Sequence, residues 1–199
     1  GDAALNAARW QGPVLPLAPH VLEGAGLVID ALFGAGLGRA IDGVARATIQ
    51  AIIDRRLTSV AVDVPSGVHG DSGAVLGVAA PAALTVTFFR RKPGHLLLPG
   101  RVLCGEIVVA DIGIPDDVLD AIGPRQHLND PALWLGRYPW PTLDGHKYSR
   151  GHALVVGGAV TTGAARLAAR GAMRAGAGLV TIASAPSAVA IYATAMPGV

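Results

Sequence analysis

The sequence predicts an α/β protein built on parallel strands, and three observations predict it. Short apolar runs end in glycine-rich turns, stretches of helical periodicity stand between those runs, and 27 glycines accompany an apolar share of 51 % in 199 residues. Buried parallel strands read as near-continuous apolar runs because helices cover their sheet. Strand, loop, helix, strand is the rhythm of a doubly wound fold.

Residues 26–33 are the first such run, a buried strand leading into a glycine-rich loop. Residues 43–56 then turn helical: Ala45, Ile49, Ile52 and Ile53 fall on one face, while Arg46, Gln50 and Asp54 share another. Residues 59–64 form a second buried strand, stopped by Pro65, Ser66 and Gly67. Residues 84–89 and 106–112 are two further strands. Between 113 and 150 the character changes. Pro115, Pro124, Pro131, Pro139 and Pro141 punctuate the chain and Trp134 and Trp140 sit close together, the signature of an inter-domain connection with short helical pieces. A second α/β pattern follows, with a strand at 152–156, a loop at 157–161, a helix at 162–175 and a strand at 178–184. Arg166, Arg170 and Arg174 make one stripe on that helix, read as a solvated face, with an anionic partner as the alternative.

Composition excludes several classes of function. Sixteen basic and 14 acidic residues are interspersed and leave a net charge of +2, so no basic stripe marks a nucleic-acid surface. The charge-free stretches 72–89 and 175–199 carry Pro81 and Pro186, so neither reads as a membrane span. No basic-then-apolar leader opens the sequence, and the chain reads as cytoplasmic. A single cysteine, Cys104, permits no internal disulfide and reads as a small buried residue. The histidines at 20, 69, 95, 127, 146 and 152 show no i, i+4 pair, which excludes a zinc site of the usual kind. A hard cation held by oxygen fits better, because Asp30 and the Ser66 turn supply only oxygen.

In open parallel sheets, ligands bind beyond the carboxyl ends of the strands. Asp30 lies late in the first strand, just before Gly34, Ala35, Gly36, Leu37, Gly38, Arg39 and Ala40; Asp63 ends the second, just before Pro65 and Ser66. Glycines at alternate positions let backbone N–H groups approach phosphate oxygens, and Arg39 adds a charge for the same anion. These are the parts of a nucleotide-type site. The alternative at this level is that Asp30 and Asp63 only cap the turns that follow them. No GxSxG elbow is present, and no GxGxxG follows the first strand as a dinucleotide-dependent dehydrogenase would require.

Five motifs occur in order: 28–37 (Val-Ile-Asp-Ala-Leu-Phe-Gly-Ala-Gly-Leu), 60–67 (Val-Ala-Val-Asp-Val-Pro-Ser-Gly), 85–88 (Thr-Val-Thr-Phe), 92–95 (Lys-Pro-Gly-His) and 111–115 (Asp-Ile-Gly-Ile-Pro). As an ordered set they resemble the NAD(P)H-hydrate epimerase domain. His146, Lys147 and residues 151–184, with Leu154 to Gly158, Gly163-Ala164 and 174–180, are similar to the opening of the ADP/ATP-dependent NAD(P)H-hydrate dehydratase domain. The resemblance implies the back part of a Rossmann-like, three-layer epimerase domain at 1–122, then a linker and the front part of a ribokinase-like α/β domain at 123–199.

It also implies roles. Asp30 and Ser66 would be potassium ligands. Gly34, Ala35, Gly36, Leu37, Gly38, Arg39, Ala40 and Asp63 would bind hydrated NADH or NADPH, with Asp63 the acid/base group that inverts the hydroxyl-bearing C6 of the nicotinamide ring. Ala164 would touch the hydrated dinucleotide in the dehydratase part, which uses ADP or ATP to expel water from the S form. A homo-oligomer is expected. The family's Asn- and Gly-rich epimerase loop would precede residue 1, and the dehydratase's Gly-Asp anion hole would follow Val199. Residues 1–199 alone are therefore expected to hold part of each active site and, as an inactive fragment, to show neither activity. Two other readings stand beside this one: a non-catalytic epimerase-like scaffold, and, for the second half alone, a sugar kinase.

Overall fold

The computed structural model describes residues 2–199. Its elements in chain order begin with α1 (Asp2–Arg9), β1 (Val28–Asp30), α2 (Gly43–Asp54), β2 (Ser59–Val62) and β3 (Leu84–Phe88). The short helix α3 (Gly100–Leu103), β4 (Glu106–Ala110), α4 (Val118–Ile122) and α5 (Pro131–Trp134) follow. The last are β5 (His152–Val156), α6 (Gly163–Arg174), β6 (Leu179–Ala183) and α7 (Val189–Ala195). The chain divides into two compact units, one ending at His127 and the other running Leu128–Val199.

The first unit is a four-stranded parallel sheet in the order β1-β2-β3-β4. Parallel neighbours need a crossover between them, and α2 supplies the one from β1 to β2. Its apolar stripe appears where periodicity places it: Ile49 and Ile52 are buried, and Ala45, Ile53 and the strand residue Val28 pack against them. Thr48, on the same face, returns its hydroxyl to the Val44 carbonyl at 2.9 Å, which satisfies a buried polar group within the helix.

No α-helix bridges β2 and β3. Residues 63–83 make the connection as a loop, exposed around Asp71–Val75 and anchored by buried Val64, Val68, Val78, Ala80 and Ala82. The strands carry hydroxyls that hold the crossing segments: Ser59 Oγ donates to the Pro81 carbonyl (3.0 Å) and Thr85 Oγ1 to that of Cys104 (2.6 Å). Alternation then divides the sheet. Ser59, Ala61, Thr85 and Thr87 point to the covered face and are at most 2 % exposed, while Ile29 and Val108 on the opposite face are 67 % and 43 % exposed. The central strands are therefore buried on one side and half-covered on the other, while the edge strand β4 carries exposed residues on both, with Val109 on the covered side 41 % exposed. Cys104 is buried, and burial pushes its thiol up to about 11.

The second unit opens with the proline-rich connection. Asp130 caps α5 by accepting from the Ala132 N–H at 2.9 Å, with Pro131 at the first helical position. Tyr138 packs edge-on to Trp140 with ring centroids 4.7 Å apart, and its hydroxyl donates to the Ala175 carbonyl at 2.5 Å. Beyond it β5 and β6 pair in parallel, with α6 as their crossover. Ala165 and Ala169 are the buried face of α6; small side chains let the helix lie close to Ala153, Val155, Val180 and Ile182. Arg170 and Arg174 are exposed, but Arg166, the first of the expected solvated stripe, is half-buried. Tyr192 and Met196, at α7 and its end, close this small core. Among the described residues no helix is long and apolar enough to cross a membrane.

Candidate active site

Because the four strands run in one direction, their carboxyl ends share one edge, and the loops there bring Asp30, Ser66, Asp63, Thr87, Lys92 and His95 together. Asp30 is the last residue of β1 and only 4 % exposed. Its carboxylate is held from the neighbouring turn: Ser66 N–H donates to Oδ2 at 2.8 Å and Ser66 Oγ to Oδ1 at 2.5 Å, while the Leu32 N–H reaches Oδ1 at 3.3 Å. Ser66 Oγ in turn accepts from the Phe33 N–H at 2.9 Å. Every partner of Asp30 here is neutral, and neither of the two ion pairs found among the described residues includes it. A buried carboxylate balanced only by neutral donors, beside a turn rich in oxygen, has the charge and ligand type that a hard monovalent cation requires.

Asp63 stands one residue beyond β2 rather than in it. Its φ of +72° places it in the left-handed region, which a non-glycine residue occupies only when its surroundings hold it there. Three groups do so. The Asp63 N–H donates to the Val86 carbonyl at 2.7 Å. Oδ2 accepts the Ala35 N–H at 2.9 Å, and Oδ1 accepts Thr87 Oγ1 at 3.0 Å and Lys92 Nζ at 2.6 Å. The loop's first glycine leaves room for this arrangement: a Cβ on Gly34 would sit 3.0 Å from Asp63 Oδ2. Burial raises the Asp63 carboxyl's pKa, but the Lys92 hydrogen bond, the Ala35 N–H, the lysine's charge and the Thr87 hydroxyl together outweigh it. The net position lies below the ordinary 3.8.

His95 closes the arrangement from beneath. It is fully buried, its Nδ1 accepts the Lys92 backbone N–H at 2.9 Å, and its Nε2 meets the Asp63 carbonyl at 2.7 Å. A nitrogen that accepts an N–H carries no proton, so the proton is on Nε2, which donates to Asp63. Burial is the main reason the ring's pKa is held below 6.5, and the Lys92 and Arg91 charges add to it; the Asp63 carbonyl and charge pull the other way.

The loop after β1 borders an open cleft of ≈ 520 Å³ lined by Leu32, Phe33, Gly34, Gly36, Leu37, Gly38 and Arg39. Of the residues singled out for substrate, Gly36 and Gly38 have open space beside their α-carbons, and Arg39 and Ala40 are exposed. Ala35 behaves differently: its N–H turns inward to Asp63 instead of toward the cleft. Ala164 belongs to the second unit, exposed in the first turn of α6. The side chains that sequence reasoning did not single out are Thr87, Lys92 and His95. Their signal is present but faint: threonines alternate in an otherwise apolar strand, and Lys-Pro-Gly-His follows its end.

Residues 4–94 match the model of the family described as YjeF-related protein N-terminus. The bifunctional NAD(P)H-hydrate repair enzyme Nnr of Thermofilum pendens is 40 % identical over 174 residues, covering 87 % of this chain and 32 % of that protein. The protein of the same name from Coxiella burnetii is 38 % identical over 189 residues, 93 % of this chain and 38 % of its own. The NAD(P)H-hydrate epimerase of Limosilactobacillus fermentum is 44 % identical over 93 residues, 47 % of this chain and 45 % of its own. The chain thus spans about a third of the length of the bifunctional relatives it matches. It is a homologue of the bifunctional NAD(P)H-hydrate repair enzymes over most of its length, and its residues 4–94 match the YjeF-related N-terminal family.

Proposed function

We propose that the first unit is the catalytic part of an NAD(P)H-hydrate epimerase and that Asp63 is its acid/base group. The observation that carries this reading is the Asp63 carboxylate at the sheet's carboxyl edge, anchored through Oδ1 to Lys92 and Thr87 and turned through Oδ2 toward the glycine loop. A scaffold that only binds a partner has no need of a left-handed aspartate held by three separate segments. In the hydrated ring, C6 bears the hydroxyl and must change hand. A carboxylate beside it takes the hydroxyl proton as the C6–N1 bond opens and gives it back when the ring closes on the other face, and the residues of the cleft, Gly34 to Ala40, hold the dinucleotide against it. Asp30 and Ser66 would hold potassium. That ion would supply fixed positive charge to the edge on which an anionic dinucleotide rests.

The second unit enters the same proposal as the front of the dehydratase domain, with β5, α6 and β6 as the first βαβ of a ribokinase-like sheet and Ala164 against the hydrated dinucleotide. The ADP- or ATP-dependent removal of water from the S form belongs to the whole protein. The alignment of the bifunctional relatives over 87–93 % of the chain supports this reading. We place the change from epimerase part to linker at 122/123, where Gly123, left-handed at φ +60°, ends α4. A three-layer first domain, a cytoplasmic location and a homo-oligomer complete the proposal.

The test is Asp63→Asn in the full-length protein, with the R and S hydrates of NADPH supplied separately and recovery of nicotinamide absorbance followed. Inversion of the R form should fall by roughly 10²–10⁴-fold, measured above the spontaneous rate, while ADP-driven dehydration of the S form continues. Inversion at the wild-type rate would remove Asp63 from the mechanism.

A further inference from the structure

The carboxylate assigned to proton transfer is gripped by a lysine to which the proposed function gives no chemical role of its own. Lys92 lies on the loop after β3 and is about one-quarter exposed, with Nζ 2.6 Å from Asp63 Oδ1, 2.8 Å from Thr87 Oγ1 and 3.2 Å from the Phe88 carbonyl. An ammonium has three N–H bonds. All three are spent on protein acceptors, so Lys92 has none to offer a substrate. The two oxygens of Asp63 are likewise unequal. Oδ1 accepts from both Lys92 and Thr87; Oδ2 accepts only the Ala35 N–H and lies where a Cβ on Gly34 would press within 3.0 Å of it. The oxygen with remaining acceptor capacity therefore faces the glycine loop that lines the cleft.

His95 fixes the lysine's own placement. By accepting the Lys92 N–H and donating to the Asp63 carbonyl, one buried ring ties the lysine's backbone to the aspartate's. The charged and titratable groups around Asp63 are then these: Lys92 at Oδ1, His95 at the carbonyl, Arg91, whose charge acts on His95, and Asp30, which is bonded to Ser66 three residues along the chain.

We propose that Lys92 is a positioning residue of the epimerase site: it anchors Oδ1 of Asp63 as a carboxylate and reserves Oδ2 as the oxygen that removes the substrate's proton. The inference rests on the epimerase reading for its substrate. It sets the order of events, because a group held ionised must take a proton before it can give one. The hydroxyl O–H bond at C6 breaks and an Oδ2–H bond forms; the electron pair left on oxygen closes a C6=O bond as the C6–N1 bond breaks with its pair going to N1. N1 then adds back to the other face of the carbonyl, the proton returns from Oδ2 to the oxygen, and Asp63 is again a carboxylate.

The experiment compares wild type, Lys92→Met, Lys92→Arg and Thr87→Val in the full-length protein, measuring kcat and KM for inversion of the R hydrate from pH 5 to 9, with circular dichroism to check folding. Lys92→Met should lower kcat by about 10²-fold with little change in KM and move the acid limb of the profile to higher pH. Lys92→Arg should return the limb to the wild-type position, and Thr87→Val should move it by a smaller step in the same direction. A Lys92→Met enzyme with wild-type rate and limb would overturn the proposal. So would Lys92→Arg behaving like Lys92→Met. If Lys92→Met does not fold, the Thr87→Val limb decides, and an unmoved limb counts against the proposal. If wild type does not invert the hydrate at all, the epimerase reading fails instead. In that case NMR titration of the Asp63 carboxyl in wild type and Thr87→Val decides whether the Oδ1 anchor exists.

Discussion

At the carboxyl ends of β1, β2 and β3 the chain sets Asp30, Asp63 and Thr87, and draws Ser66, Lys92 and His95 onto them. At the ends of β5 and β6 it sets Val156 and Ala183, with Gly157 and Gly158 after the first and Ser184 after the second. Both regions are parallel strands, and α2 between β1 and β2 and α6 between β5 and β6 are alike α-helical crossovers, so that part of the backbone plan is shared. They differ in what fills the space behind the loop. In the first, charged and polar side chains from separate segments bond to one another. In the second, an aromatic ring packs in: the Tyr192 hydroxyl donates to the Gly158 carbonyl at 2.9 Å, and a Cβ on Gly157 would meet that hydroxyl at 2.6 Å. The same topology thus yields an edge governed by charge and an edge governed by shape. A single proton or a single cation should disturb the first, whereas a change of volume should disturb the second.

The largest expected effect tests how rigidly the first edge is held. Gly67 adopts φ +97°, and a Cβ there would be driven into the Val78 carbonyl. Gly67→Ala should therefore destabilise the first unit by roughly 3–5 kcal/mol, combining left-handed strain with overpacking. Hydrogen exchange should show β2 and β3 amides losing protection while β5 and β6 amides keep theirs. Equal loss in both sheets would mean that the two regions do not respond separately.

An intermediate effect comes from pH. The folded state holds His95 below its ordinary 6.5, so the unfolded chain takes up a proton that the folded one refuses. That contribution to stability is complete above pH 6.5 and is lost as pH falls from there toward the folded value. Asp63 acts in a lower window: held below 3.8, it stabilises the fold above that pH and stops doing so as pH falls through its folded value. Protection of β2 and β3 amides, corrected for intrinsic exchange, should decline in these two stages. His95→Gln should remove the first stage and leave the second. Persistence of the first stage in that variant would assign it to another group.

The smallest effect belongs to the second edge. Tyr192→Phe removes one neutral hydrogen bond while retaining the ring, and it should cost about 1 kcal/mol in the β5–β6 region. Urea unfolding followed at that sheet would measure it. A cost several times larger would show that a polar contact, not packing, governs this edge too.

The sequence by itself determined which runs become strands, the two main crossover helices and the placement of Asp30 and Asp63 about the strand ends, because these depend on local periodicity and on where an apolar run stops. The first strand is only Val28–Asp30 of the run 26–33, and Asp63 lies one residue beyond its strand. Residues 43–56 announce α2 through Ile49 and Ile52, and 162–175 announce α6, each to within about two residues of its end. The short helix α1 (Asp2–Arg9) was not anticipated, although its amphipathic pattern is as strong as that of α6. The tertiary structure alone decided that one sheet face lies open at Ile29 and Val108, since an apolar run looks the same whether one face or both are covered. It also decided that Ala35 points its N–H inward to Asp63 and that Thr87, Lys92 and His95 belong to the site. Those residues lie 24 to 32 positions from Asp63 along the chain. They meet it because β2 and β3 pair with Val62 opposite Val86, which sets Thr87 beside the aspartate, and because the turn after β3 folds Lys92 and His95 back beneath it. Strand-pairing register and the path of a turn depend on long-range packing, and no local pattern in the sequence encodes them.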